Sequence, residues 1–231
     1  MKSSETTMSQ SAIAQAQADF LSKVYAWMFG GLLLTALTAW YVYSEEIYIS
    51  VVNSGLMFPL ILGELALVFF LAARVEKISK TTAGMLFLVY SLLNGITLSV
   101  VLAVYTYESV QEVFFITAAM FAALSAYGYF TKKSLSGIGN FLFMGLIGII
   151  IASVVNIFMA NSALNFAISV IGVIIFAGLT AYDTQKIKEM YVLQYEGDEV
   201  AAKGAIIGAL RLYLDFINLF LFLLRLFGRR D

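Results

Sequence analysis

Seven long apolar runs divide this chain, and nearly all of its charge lies in the short segments between them. Runs of about 18 to 24 apolar residues are the length of helices that cross a membrane, satisfying their own backbone as they do so. The pattern lacks the alternating ten-residue strands of a membrane barrel. The predicted spans are Val24 to Ser44, Gly55 to Arg74, Thr82 to Tyr105, Val113 to Phe130, Phe141 to Ala160, Leu164 to Asp183, and Ala205 to Phe227. Tyr25 and Trp27 at one end of the first span, and Trp40, Tyr41 and Tyr43 at the other, read as interface belts. Ahead of it, residues 1–23 are rich in Ser, Thr, Gln and Ala and lack the apolar core and cleavage site of a signal peptide. They are expected to form a cytoplasmic lead, helical from Ser9 to Ser22, with residues 24–231 as one seven-helix transmembrane domain.

The last run, AIIGALRLYLDFINLFLFLLRLF, carries Asp215 near its middle. A carboxylate at the centre of a membrane helix costs roughly 3 kcal/mol on insertion scales, so it marks a functional site wherever a partner can be named. The candidate partner is Asp183, in GLTAYDTQKIKEMY at the end of the preceding run. With those helices ending near Glu189 and beginning near Gly204, the two acids lie ~9 and ~16 Å from the same membrane face at ~1.5 Å per residue. A ~7 Å offset is small beside ordinary helix tilt, so the two side chains can meet. Arg211, Asp215, Asn218, Phe222 and Arg225 fall along one stripe of the last helix. A polar stripe faces lipid only at high cost, which places this helix at the centre of the bundle. The second span carries Glu64 at mid-depth and Arg74 at a level comparable with Asp183, making Arg74 the candidate counter-ion.

Composition sharpens the class. The chain is 61% hydrophobic and 13% charged, against roughly 45–50% and 25% in soluble domains, as expected of a polytopic membrane protein. With no Cys and no His, disulfides, thiolate nucleophiles and the usual zinc and haem ligand sets are excluded. Proton sensing near neutral pH then falls to carboxylates in desolvated sites. Lys2, Lys23, Lys77, Lys80, Lys132, Lys133, Lys186, Lys188 and Lys203, with Arg74, all lie on one side of the predicted spans. This alternation predicts a cytoplasmic N-terminus and an external C-terminus. Arg229 and Arg230, beyond the last span, run against the pattern; a re-entrant last segment would return both termini to the cytoplasm.

The motifs AYDTQKIKEMY at 181–191 and LYLDFINLFLFLLRLFG at 212–228, with NGITLS in the third span, resemble the Bax inhibitor-1, or transmembrane Bax inhibitor motif, family, in particular its bacterial members. The resemblance covers essentially the whole chain after the lead. It implies an all-α integral membrane protein of seven helices, the C-terminal one surrounded by the other six, acting as a pH-sensitive calcium leak. It also implies a hydrogen-bonded pair of Asp183 and Asp215 with Arg74 as gating counter-ion. Glu64 is similar to the family's acidic position on the second helix, although its spacing to Arg74 is one residue shorter. A bacterial inner-membrane location follows from the same resemblance.

The mechanism expected from the residues is that two carboxylates in one desolvated site titrate as a pair. Near neutral pH the pair shares a charge with Arg74 and ties helices together; protonation releases Arg74 and opens a path past Asp215, with Glu64 and Asn94 along it. Asn94 also reads as hydrogen-bond glue between helices. Calcium suits such a path as a hard cation with flexible oxygen coordination. Asp183 and Asp215 alone offer too few oxygens for more than weak, transient binding. No cofactor, catalysis or nucleic-acid partner is expected; the partners are calcium ions, protons and the bilayer. Two alternatives stand beside this reading. One is a non-catalytic regulator that binds a membrane protease or another membrane protein. The other is an intramembrane aspartyl protease, suggested by the paired acids on adjacent spans. Against the protease, Asp215 sits in YLDF rather than after Gly-x-Gly, and the single Pro at position 59 leaves no Pro-Ala-Leu element.

Overall fold

The computed structural model describes residues 10–194 and 198–230, and the first nine residues of the expected lead, Lys2 among them, lie outside that range. Its described helices are α1 (Gln10–Ser44), α2 (Ile47–Asn53), α3 (Met57–Arg74), α4 (Lys80–Val104), α5 (Tyr107–Phe130), α6 (Ser136–Met159), α7 (Ser162–Gln194) and α8 (Asp198–Phe227). All except the short α2 are long and apolar enough to cross a membrane. No strand occurs among the described residues.

The helices run past the apolar runs that announce them. α1 continues back through residues 10–23, where Phe20 and Leu21 are already in the core. α7 extends to Gln194, and α8 begins at Asp198 rather than Ala205. Hydropathy marks where a helix enters lipid, whereas its ends are set by capping. Ser79 accepts a hydrogen bond from the Thr82 amide at the start of α4, and Thr106 does the same for the Ser109 amide at α5. α8 runs unbroken for its whole length, so the last segment is not a re-entrant loop. Gly55, at φ +74°, takes the left-handed turn between α2 and α3 that a Cβ would disfavour. Pro59 follows in the first turn of α3, where its missing N–H is not needed.

The described helices assemble around α8. Of its most apolar window 72% is buried, against 11–39% in the other spans. α1, α4, α5 and α7 pack directly on α8, whereas α3 reaches it mainly through the 3-10 turn Val75–Lys77 and α6 sits behind α7. Tyr213, Leu212, Leu219 and Leu224 are fully enclosed. α3 and α6, each 11% buried, present almost their whole surface outward, as lipid-facing helices do. At the far end the chain turns back on itself: the Thr106 amide donates to the Arg229 carbonyl at 3.0 Å and the Arg229 amide donates to Ser109 Oγ at 2.8 Å.

Candidate functional site

Asp183 and Asp215 meet. α7 and α8 form an antiparallel pair, and the two side chains come into hydrogen-bonding contact with each other. Asp215 is 4% exposed, and its Oδ2 has no hydrogen-bond partner among the described residues. A hydrogen bond between two carboxyl groups requires a proton on one of them.

The cation beside the pair is Arg211. It lies one turn before Asp215 on α8, and its Nη1 is 3.9 Å from Asp183 Oδ1. The Asp183 side chain is 15% exposed and the Arg211 side chain 46%, so the guanidinium stands between the acids and the bundle's lysine-rich end. Arg74, expected in this role, is exposed at the end of α3, and among the described residues it forms no ion pair with either acid. The deciding difference is that Arg211 shares a helix face with Asp215, while α3 packs on α4 rather than on α7.

The residues after Asp183 work as a hub. Thr184 Oγ1 is 3.4 Å from Ser125 Oγ on α5. Gln185 accepts from the Leu135 amide at 2.8 Å and donates to the Lys133 carbonyl at 2.9 Å, thereby holding the α5–α6 connection and the first turn of α6. Lys188 Nζ donates to the Tyr129 carbonyl at 2.8 Å and lies over the Tyr129 ring. A Cβ at Gly128 would run into the Ala181 carbonyl, so α5 can approach the acid-bearing stretch of α7 this closely only with glycine there. Polar residues at successive positions of a helix usually point different ways, and here each direction holds a different neighbour.

A second polar cluster lies on another side of α8. Glu64, 8% exposed, accepts from Thr97 Oγ1 at 3.0 Å and from Asn94 Nδ2 at 3.4 Å, and Asn94 Nδ2 also reaches the Tyr90 hydroxyl at 3.3 Å. Tyr90 packs edge-on against Tyr213, whose hydroxyl is 2.6 Å from Thr35 Oγ1, which in turn donates to the Ser91 carbonyl. Glu64 and Asn94 are thus brought together, but in a cluster separate from the acid pair. Asn218 donates back to the Leu214 carbonyl, and Arg225 lies exposed over the Phe222 ring, so neither joins the pair. Arg211, Gln185 and Lys188 are the participants that sequence reasoning did not assign. For Arg211 the available signal was its position four residues from Asp215 in the polar stripe. Among the described residues no three acidic side chains gather at one point, so the pair supplies two carboxylates and no larger ligand set.

A helical bundle with seven membrane spans, closed around a buried acid-bearing helix, defines an integral membrane protein. The chain belongs to the Bax inhibitor-1 family: the family model described as inhibitor of apoptosis-promoting Bax1 matches residues 17–231. It is 50% identical over 214 residues to the inner membrane protein YbhL of Escherichia coli K12, covering 91% of this chain and 92% of that one. A protein of Borreliella burgdorferi is 47% identical over the same shares of the two chains. A Deinococcus radiodurans protein is 40% identical over 227 residues, or 98% of this chain and 97% of its own.

Proposed function

We propose that this protein is a pH-sensitive calcium leak channel of the bacterial inner membrane, gated by protonation of the Asp183–Asp215 pair. The observation that carries the reading is the contact between two carboxyl groups at the α7–α8 junction with a guanidinium at its edge. Two carboxylates in contact away from water do not both ionise at low cost, so the pair holds one proton and one charge, and that charge faces Arg211. A second proton removes the attraction for Arg211 and loosens α7 from α8 at the lysine-rich end. A cation entering there meets Asp183 first, then Asp215. Calcium takes six to eight oxygens at a tight site, and two carboxylates provide fewer, which suits passage rather than storage. Glu64, with Asn94 and Thr97, offers the next oxygens along the bundle. Arg74 has a gating role only in a state where the end of α3 turns inward.

The same reading sets the lysine-rich end in the cytoplasm, by the positive-inside bias, and the C-terminus outside. The inner membrane is the location named for the Escherichia coli relative. The acids act on protons and cations, and the reading assigns them no bond-making chemistry.

The test is calcium flux into liposomes carrying the purified protein, stepped from about pH 8 to about pH 5.5 so as to cross the titration of a desolvated carboxyl pair. Wild type is compared with Asp183→Asn, Asp215→Asn and Arg74→Gln, each shown to be folded. Flux that rises on acidification, with its midpoint lost in both Asp variants, supports the pair as the sensor. Folded protein that passes no calcium at any pH removes the channel reading.

A further inference from the structure

A cleft of about 510 Å3 runs between α1 and α5. Each of these helices packs on α7 and α8, but they are not a packed pair with each other. The gap follows from side-chain size: α1 presents Ala18 and α5 presents Ala122 and Ala126, with Leu21, Met28 and Phe121 forming apolar walls. From Ala18 to Met28 the cleft extends about 15 Å at ~1.5 Å per residue, which is half of a ~30 Å hydrocarbon core, the depth of one leaflet. A helix ~10 Å across would displace about 1,200 Å3 over that length, more than the roughly 940 Å3 of empty space there. The cleft suits something thinner.

Its lysine-rich end is not apolar. Tyr129 lines it there, across from Ala18 of α1, at the level where tyrosines meet headgroups. Lys188 of α7 contacts both helices at this end: its Nζ is bonded to the Tyr129 carbonyl and lies 4.8 Å from the centre of that ring, while Gln17 of α1 donates to its backbone carbonyl at 3.3 Å. Lys132 is exposed just beyond the end of α5, and Lys23 is exposed on α1 partway along the cleft. Asp19 is the one acid on this stretch of α1, and Gln15 holds its Oδ1 at 3.0 Å. An apolar slot of one-leaflet depth with an ammonium at its headgroup end is complementary to one lipid class. We propose that the α1–α5 cleft is a binding site for an anionic phospholipid, one acyl chain lying between the alanine faces and the phosphate meeting Lys188. The site stands independently of whether the protein conducts calcium.

The test is native mass spectrometry of the full chain in detergent, offered phosphatidylglycerol and phosphatidylcholine at equal concentration. The expected result is one phosphatidylglycerol molecule retained under activation that strips the remaining lipid, preferred at least fivefold over phosphatidylcholine. Ala122→Trp, which fills the slot, removes the retained lipid; Lys188→Gln leaves binding but brings the headgroup preference close to one. Val154→Trp, on the outward face of α6, changes nothing. A wild-type protein photolabelled by a phosphatidylglycerol with a diazirine in its acyl chain carries the label on Tyr25, Phe121 or Tyr129, a readout that needs no variant to fold. Equal retention of the two lipids by wild type overturns the proposal. So does retention unchanged in Ala122→Trp, or label spread over α3 and α6.

Discussion

Replacing Arg211 by Met tests whether its charge acts on the acid pair. At 3.9 Å, two unit charges interact by about 4 kcal/mol at an effective dielectric of ~20. Nearly half of the Arg211 side chain faces solvent, and ion pairs with that exposure measure roughly 0.2–1 kcal/mol. Because Asp183 is more enclosed than its partner, we take the upper end, about 1 kcal/mol. A cation beside the pair favours its charged form, so losing the cation makes protonation easier. If protonation opens the path, the pH of half-maximal calcium flux must rise in Arg211→Met. One pH unit corresponds to about 1.4 kcal/mol, so the expected rise is about 0.7 unit. Arg211→Lys keeps the charge and is expected to stay near the wild-type midpoint. The assay is the liposome flux series with wild type and both variants in parallel. A midpoint that stays in place in Arg211→Met, or moves to lower pH, refutes the assignment of Arg211 as the ion partner of the pair.

Two further outcomes test the packing around the site. Gly128→Ala sets a methyl against the Ala181 carbonyl, and overpacking of this kind costs about 1–3 kcal/mol. The thermal midpoint in detergent is expected to fall, whereas Gly30→Ala, with no atom within 4 Å of the new methyl, should leave it in place. Gln185→Ala removes both hydrogen bonds to the α5–α6 connection and is expected to cost about 1–3 kcal/mol through unpaired backbone groups. Hydrogen exchange should speed up at residues 135–139 and not in the centre of α8; uniform exchange across the chain would contradict a local role for this side chain.

Much of the architecture was legible because a bilayer asks little of a sequence beyond length and apolarity. Seven runs long enough to span became seven long helices, and the polar stripe of α8 foretold its central place. Helix ends were less legible: Ser79 and Thr106 cap by geometry, and residues 198–204 are helical although their composition is not that of a span, while the helix expected over residues 9–22 is present from Gln10 but runs without a break into the first span. The meeting of Asp183 with Asp215 could be anticipated because both acids sit at similar depth on consecutive helices joined by one short connection. Depth is a coordinate that residue counting supplies.

The angle around each helix and the choice of neighbour are coordinates that counting does not supply. Packing put Arg211 at Asp183 and left Arg74 exposed on α3. Glu64 and Asn94 share a cluster with Thr97 and Tyr90 rather than a file with the acid pair, because α3 leans on α4. The α1–α5 cleft depends on alanines about a hundred positions apart along the chain, facing one another only because both helices close on α7 and α8. Local composition determined which segments enter the membrane and which charges they carry. The tertiary structure decided which of those charges meet, because side-chain packing selects rotation and partner among many arrangements of equal hydropathy.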